Sequence, residues 1–481
     1  MIVPILAAVM ATVAVAQAPT ANLQTCVAEA DYNPSYDYFP EKINNRVVSK
    51  NLKYTYNNNY KTIVNSFSNE TIVLYQCGTP MPTVAGATVV IAVPIQNMTI
   101  ADTTIVPYVE LLGKRSAIKY ATGGTLAYIS SPCVQAEVAA NPKALQEIDS
   151  KNITAGIEQI RSTDAYLHYY GSYTANVTND ITFPASADPG VMGRLGWLGV
   201  TGSLFNLEGL ANTVSNTIYD NYDALSKNAN KASFKPVVAW IEYFQAYAGS
   251  DTYPATPASW SINAAQYILD YTTAAGATSF VPTSSTFKAS GAAKQVTKYT
   301  YTTAADLLAD LKEVDIVIDL SFYDVNTTDF GKSFGARADF LTESTSEHKF
   351  IQKRQIYMFN GETSPANGGS SFFESGTVEI NIVLADLISA THPETLPNYN
   401  PTYIRNIFNN DPDVVTASQC ADFKIAAVAP VVKDFVAPTA TALPVASATA
   451  AASAKATTSK SAGVVNSAVA GVVAFAALFM F

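Results

Sequence analysis

Two apolar rhythms alternate along the chain. Leu52-Lys53-Tyr54-Thr55-Tyr56 and Thr71-Ile72-Val73-Leu74-Tyr75 carry short alternating runs, and Asn57-Asn58-Asn59 between them is a turn; both runs read as strands. From Ala87 the texture changes. Thr88-Val89-Val90-Ile91-Ala92-Val93 is a continuous β-branched run, as expected of a parallel strand covered on both faces. Residues 104–112 are helical and close at Gly113, Ala117-Ile118-Lys119-Tyr120 follows, and a Gly/Ser loop leads to Cys133. Helical spacing runs over 134–150 and 153–161 and ends in the strand 165–170. This order predicts a doubly wound α/β lobe.

Between Gly193 and Lys227 no proline occurs, and apolar residues recur at helical spacing through Leu204, Leu207, Leu210, Val214, Ile218, Tyr222 and Leu225. One long helix is predicted, with an irregular or tightly packed start where Gly recurs every third residue from Gly193 to Gly202. The α/β texture then returns. Strands are predicted at 236–241, 314–320 and 356–359, and helices at 264–274 (closed by Gly276), 303–311 (capped by Thr303) and 379–390. The fold class is α/β: two Rossmann-like lobes joined by a single long interlobe helix, with an N-terminal β-rich extension.

The two ends change the picture. Residues 1–16 are almost wholly apolar and finish Ala14-Val15-Ala16, a signal-peptide cleavage pattern that lacks the usual basic start. Residues 468–481 are apolar and uncharged, too short to span a bilayer, and follow the small-residue run Ser459-Lys460-Ser461-Ala462-Gly463. Small residues, a spacer and a terminal apolar tail form the pattern of a GPI-attachment signal. The expected organisation is signal peptide 1–16, extension 17–82, first lobe 83–203, interlobe helix 204–230, second lobe 231–425, Ser/Thr/Ala/Pro stalk 426–460 and GPI signal 461–481. N-x-S/T sequons at Asn69, Asn97, Asn152, Asn176 and Asn326 are the glycosylation sites expected of such a chain.

Cys26, Cys77, Cys133 and Cys420 sit in no metal-ligand spacing. In an oxidising compartment an even count favours two disulfides with three possible connectivities, of which Cys26–Cys77 and Cys133–Cys420 are preferred here. A net charge of −10 and a pI near 4.9 argue against nucleic acid and anionic membranes as partners. Charged residues are only 14% of the chain, so glycans are expected to supply part of its solubility.

Several local patterns come in a telling order: Val106-Pro107-Tyr108-Val109-Glu110-Leu111-Leu112-Gly113; Gly193-Arg194-Leu195-Gly196-Trp197-Leu198 before the long helix; Phe234-Lys235-Pro236-Val237-Val238-Ala239-Trp240; the helix and strand over 303–318 with Glu313-Val314-Asp315; and Leu384-Ala385-Asp386-Leu387-Ile388-Ser389-Ala390-Thr391-His392-Pro393-Glu394. Over residues 83–408 this order resembles the class III substrate-binding proteins of ABC importers, in a secreted, GPI-signalled form of fungal type. The resemblance implies an interlobe cleft that takes a metal chelate of siderophore, haem or cobalamin type, or a bare metal ion. With three histidines in the chain, a three-His metal cage is not expected, and no resident cofactor is expected.

Aromatic residues at strand ends are the candidate ligand contacts: Tyr169, Tyr170 and Tyr173 after the first-lobe strand, Tyr243 and Phe244 after the strand opening the second lobe, and Tyr323 with Asp324 after the 314–320 strand. His168 either reaches the cleft or packs in its strand. Arg194 either pairs with an anionic ligand or caps the interlobe junction. Nucleophile-elbow, zincin, phosphate-loop and dinucleotide motifs are absent from the sequence, so no enzymatic activity is expected, although a carboxylate pair for glycoside hydrolysis has no sequence signature to look for. The reading is a monomeric, surface-anchored binding protein for a small ligand, engagement of a permease being an open question. The alternative is a structural or adhesive wall glycoprotein with a degenerate cleft.

Overall fold

The computed structural model describes residues 17–445 apart from 45, 150, 170–176, 250–253, 285, 293–294, 322–345, 366–368, 409–411 and 426. Tyr170, Tyr173, Asn176, Tyr323, Asp324 and Asn326, the leader and the C-terminal signal therefore lie outside the described residues.

The N-terminal extension is a meander of β1 (Leu52–Tyr56), β2 (Tyr60–Asn65) and β3 (Glu70–Gln76), closed by Cys26–Cys77. The β-branched run forms β4 (Val89–Val93), but it pairs in parallel with β3 instead of entering the first-lobe sheet. β4 is the outer strand of this sheet, with Val89, Ile91 and Val93 buried and Val90 and Ala92 half-buried, so the expected burial of both faces is not met.

The first lobe is built from β5 (Met98–Ile100), α1 (Val106–Glu110), β6 (Ile118–Ala121), α2 (Pro132–Ala140), β7 (Gln146–Glu147), α3 (Ile153–Arg161), β8 (Ala165–His168) and β9 (Asp180–Thr182). Its five strands are all parallel in the order β7-β6-β5-β8-β9. α2 is shorter than the helix expected over 134–150: Ser131 caps its start, and Asn141-Pro142 stops it before the chain turns into β7.

The single long helix is in fact three: α4 (Val191–Gly196), α5 (Leu198–Leu204) and α6 (Glu208–Ala229). The break before α6 falls at Asn206, which takes φ +56°. In the middle of the glycine stripe upstream, the extension lies directly against the helices. A Cβ on Gly199 would stand 2.7 Å from Tyr54 Oη, and one on Gly196 would strike the backbone of Val48 and Ser49.

The second lobe contains β10 (Val237–Phe244), β11 (Ser259–Asn263), α7 (Gln266–Ala274), β12 (Thr278–Ser279), β13 (Phe287–Ala292), β14 (Gln295–Tyr301), α8 (Ala304–Asp310), β15 (Ile316–Asp319), α9 (Lys349–Gln352), β16 (Ile356–Met358), β17 (Glu362–Thr363), α10 (Ser371–Glu374), α11 (Ile380–Thr391), β18 (Arg405–Asn406) and β19 (Asp413–Val414). Thr303 caps α8, accepting from Asp306 N at 3.1 Å. The parallel part of its sheet runs β12-β10-β15-β16. The antiparallel arm β11-β14-β13 was not expected; it grows from the C-terminal half of β10, its strands paired through alternating polar and aromatic residues. One core runs unbroken from Phe39 and Ile63 of the extension through Trp197 and Ile218 to Trp240 and Leu384.

The expected stalk does not begin at 426. Residues 427–445 lie as a strap across the molecule. Arg115 of the first lobe donates to Ile425 O (3.3 Å), and Ala427 N donates to Glu110 O (3.1 Å). On α6, Asn221 pairs with both the N–H and the C=O of Val432, and Asn228 donates to Val436 O. On α11, Asn381 donates to Pro430 O. Lys353 and Gln355 of the second lobe then donate to Leu443 and Pro444 carbonyls. Ala/Val/Pro composition does not distinguish this segment from a stalk, because the body supplies most of the hydrogen-bonding side chains. The Cys133–Cys420 disulfide ties α2 to the chain just before it.

Candidate functional site

In each lobe the first parallel strand is central, with later strands added on both sides. Such an order leaves a crevice at the carboxyl ends of the strands where it reverses, between β5 and β8 in the first lobe and between β10 and β15 in the second. Past β5, the Asp102 carboxylate accepts from Tyr169 N at 2.7 Å, which holds the residue following β8 in place. Past β6, Gly123 and Gly124 turn at positive φ, and Glu147 accepts from Gly124 N (2.7 Å) and Leu126 N (3.2 Å). Tyr243 and Phe244 do not follow the opening strand as expected but form its last two residues, because β10 continues into pairing with β11; there Tyr243 N donates to Ser321 Oγ at 2.7 Å, and Asp319 accepts from Ser321 N at 2.8 Å.

Hydrogen bonds cross between the lobes near these crevices. α10, which comes after β16 and β17 of the second lobe, places Glu374 at the first-lobe edge, where it accepts from Ser130 N (2.8 Å) and Ser131 N (3.1 Å). Tyr108 of α1 donates to Arg194 O (2.7 Å) and Thr377 O (3.4 Å), joining the first lobe, the connector and the second lobe. Glu110 sits beside this contact and is held by Arg115 Nε at 2.6 Å.

Carboxyl groups accumulate behind the contact. Burial and the neighbouring Glu110 push Glu374 up to about 8 against the pull of the two serine amides. Burial pushes Glu379 and Glu362 up to about 7, Tyr403 donating to the former. Asp386 rises to about 6 although Tyr399 Oη and the amides of Thr402, Tyr403 and Ile404 all donate to it. All four folded values lie above the ordinary carboxylate range, so the folded state holds protons that the unfolded chain has released. Stability is therefore full below about pH 4.5 and falls as pH rises through 6 to 8, by up to about 1.4 kcal/mol per pH unit for each group in transition. Unfolding midpoints measured from pH 5 to 8.5 should drop steadily. Glu379→Gln keeps an acceptor for Tyr403 and should flatten the decline near pH 7; a midpoint that rises across this range would contradict the assignment.

The sequence candidates separate by position. Tyr169 lies at the first-lobe edge with its ring edge-on to Phe67 at 5.6 Å. Tyr243 lies at the second-lobe edge against Trp260 at 5.4 Å, and Phe244 lies beneath Lys298 at 5.0 Å, whose ammonium also pairs with Glu242 at 2.9 Å. His168 is buried in its strand, stacked on Tyr166 at 4.9 Å and paired with Asp180, the packed alternative of its two readings. Arg194 covers the Tyr267 ring at 3.7 Å and donates to Asp188 O at 3.1 Å, which is the junction-capping alternative. Sequence reasoning missed Phe67, Glu374 and the Ser130–Ser131 amides. Phe67 had a signal, a lone large aromatic in the polar turn Ser66-Phe67-Ser68-Asn69. The other contact had none, because its partners lie 243 and 244 residues apart. Among the described residues no group of three His, Cys, Asp or Glu could hold a metal ion, and no helix is long and apolar enough to cross a membrane.

No family model matches the chain, and no curated protein matches it. Solved structures do match in part. CeuE of Helicobacter pylori with Ni(II) bound is 11% identical, with 67% of this chain and 92% of that chain covered and a TM-score of 0.42. An ABC-type Fe3+-hydroxamate transport system protein of Saccharomonospora viridis is 14% identical over 66% and 97% of the two chains, with a TM-score of 0.39. A periplasmic haem-binding protein of Pseudomonas aeruginosa is 14% identical over 64% and 96%, with a TM-score of 0.40. These are loose likenesses in chain path, and no residue role is carried across them.

Proposed function

We propose that this protein binds a small ligand, of metal-chelate or flat organic type, at the carboxyl edges of its two lobes, and does so outside the cell on a GPI lipid. One feature supports the binding reading most: each lobe has a sheet whose strand order reverses, with Tyr169 following β8 in one and Tyr243 near the end of β10 in the other. The anchoring reading rests on the two terminal sequence patterns, and Asn69 and Asn152, both exposed, suit glycosylation. Binding of haemin, ferrichrome or cobalamin to the secreted, deglycosylated protein, followed by tryptophan fluorescence, should saturate in the micromolar range or below for at least one probe. Tyr243→Ala should weaken that binding about tenfold or more, consistent with loss of an aromatic contact and its packing. Phosphatidylinositol-specific phospholipase C should release the protein from cells; retention with Phe481 still present would remove the anchor from the reading.

A second reading is favoured by the clamp: the lobes share one core, one buried carboxylate contact and one strap. A wall glycoprotein using the fold as a rigid module needs nothing more. No binding of the three probes below the millimolar range would select this reading.

A further inference from the structure

The N-terminal extension shares its core with the lobes, and one of its turns reaches the first-lobe edge. The turn between β2 and β3 is pinned there at several points. Asn65 Nδ2 donates to Thr182 O at 3.2 Å, and Glu70 Oε1 accepts from Thr182 N at 3.2 Å and Thr182 Oγ1 at 2.7 Å. Within the turn, Ser68 Oγ donates to Glu70 Oε2 at 2.6 Å and Phe67 N to Asn65 Oδ1 at 3.1 Å. Thr182 of β9 is paired with His168 of β8, so the turn is bolted one strand away from the residue that precedes Tyr169. The consequence is the edge-on pair of Phe67 and Tyr169, in which the Phe67 residue is still 41% exposed.

A half-exposed phenylalanine in a polar turn gains little from folding, since much of its apolar surface stays in water. Held by a fixed turn, it is instead a preorganised aromatic wall that loses little freedom when something covers it. We propose that Phe67 is a specificity-determining contact of the ligand site, receiving the flat aromatic face of the ligand beside Tyr169. This rests on the ligand-binding reading above. It makes the extension part of the site, and it selects a planar π-system over a globular chelate with no aromatic face. Edge and face contacts between aromatic groups favour such a partner through the ring quadrupole as well as through apolar burial.

Haemin, which is planar, and ferrichrome, a hydroxamate chelate without aromatic rings, separate the possibilities when titrated into the full mature protein. Phe67→Ala should weaken haemin binding about five- to tenfold and ferrichrome binding less than twofold, while Phe67→Trp should restore haemin. Both variants leave the Asn69-Glu70-Thr71 sequon intact, and the melting temperature should stay near that of the wild type because the ring is on the surface. Wild-type haemin binding that is unchanged in Phe67→Ala overturns this inference and leaves the ligand-binding reading standing. Equal weakening of both probes removes the specificity role. Ferrichrome binding without haemin binding does the same. Wild-type protein that binds neither probe overturns the inference together with the reading it rests on.

Discussion

Lys61→Met should destabilise the protein by about 3–5 kcal/mol, the effect expected when one partner of a buried ion pair is removed and the other stays charged. Lys61 and Glu208 are both fully enclosed, and they pair where the extension meets the first turn of α6. The surroundings complete the coordination of both groups. Lys61 Nζ donates to Asn206 Oδ1 at 2.8 Å and stands over the Phe39 ring at 4.4 Å, while Glu208 Oε2 accepts from Asn22 Nδ2 at 2.7 Å. Burial lowers the lysine and raises the glutamate, and each partner opposes the shift of the other, so losing Lys61 leaves Glu208 with burial as the dominant influence. Lys61→Met combined with Glu208→Gln should recover a substantial part of the loss, since no uncompensated charge remains. Urea denaturation of the two variants decides it. A loss below about 0.5 kcal/mol in the single variant, the size of an ordinary surface substitution, would show the pair to be dispensable.

The second large effect concerns the Cys133–Cys420 bridge. Replacing both cysteines by serine should cost about 2–5 kcal/mol, toward the upper part of that range in the chain-entropy account because the bridge closes a loop across a separation of 287 residues. The loss should be larger at the strap than elsewhere. Arg115, Asn221, Asn228 and Asn381 hold the segment by a few separate hydrogen bonds that are worth little once it is no longer tethered at Cys420. Hydrogen exchange at the amides of Val432 and Val436, which donate to Asn221 and Thr395, should quicken ahead of the core strands. Unchanged protection there in the serine variant would mean that the strap is held by packing on α6 and α11 alone.

Much of the fold is legible in the chain because its signals are local. The β-branched run of β4, the cap at Thr303, the glycine stop after Ala274 and the periodicity of α6 and α11 each reside within one short segment. β5 is the instructive failure. It is the central strand of the first-lobe sheet, but Met98-Thr99-Ile100 is too short to carry a period and lies just after the conspicuous β4 run, which draws the assignment to itself. The antiparallel arm is missed for a related reason: its strands mix Ser, Thr, Lys and Tyr, and their pairing is specified by neighbours brought by the fold.

At the candidate site the same division holds. Residue type and sequence position nominated Tyr169 and Tyr243 as contacts, although Tyr243 lies within β10 rather than after it. They were not enough to say that His168 turns into its own lobe, that Arg194 covers Tyr267, or that Phe67 arrives from the extension. By itself the sequence determined the two α/β halves, the helical connector and the candidate disulfide cysteines, because hydrophobic period, capping and cysteine count act over a few residues or over the whole composition. Tertiary structure alone decided which sheet receives β4, how the lobes are latched through Glu374, and where residues 427–445 lie. Those choices depend on which backbone donors and acceptors remain unpaired after local structure has formed, and on which distant side chains come within hydrogen-bonding distance of them.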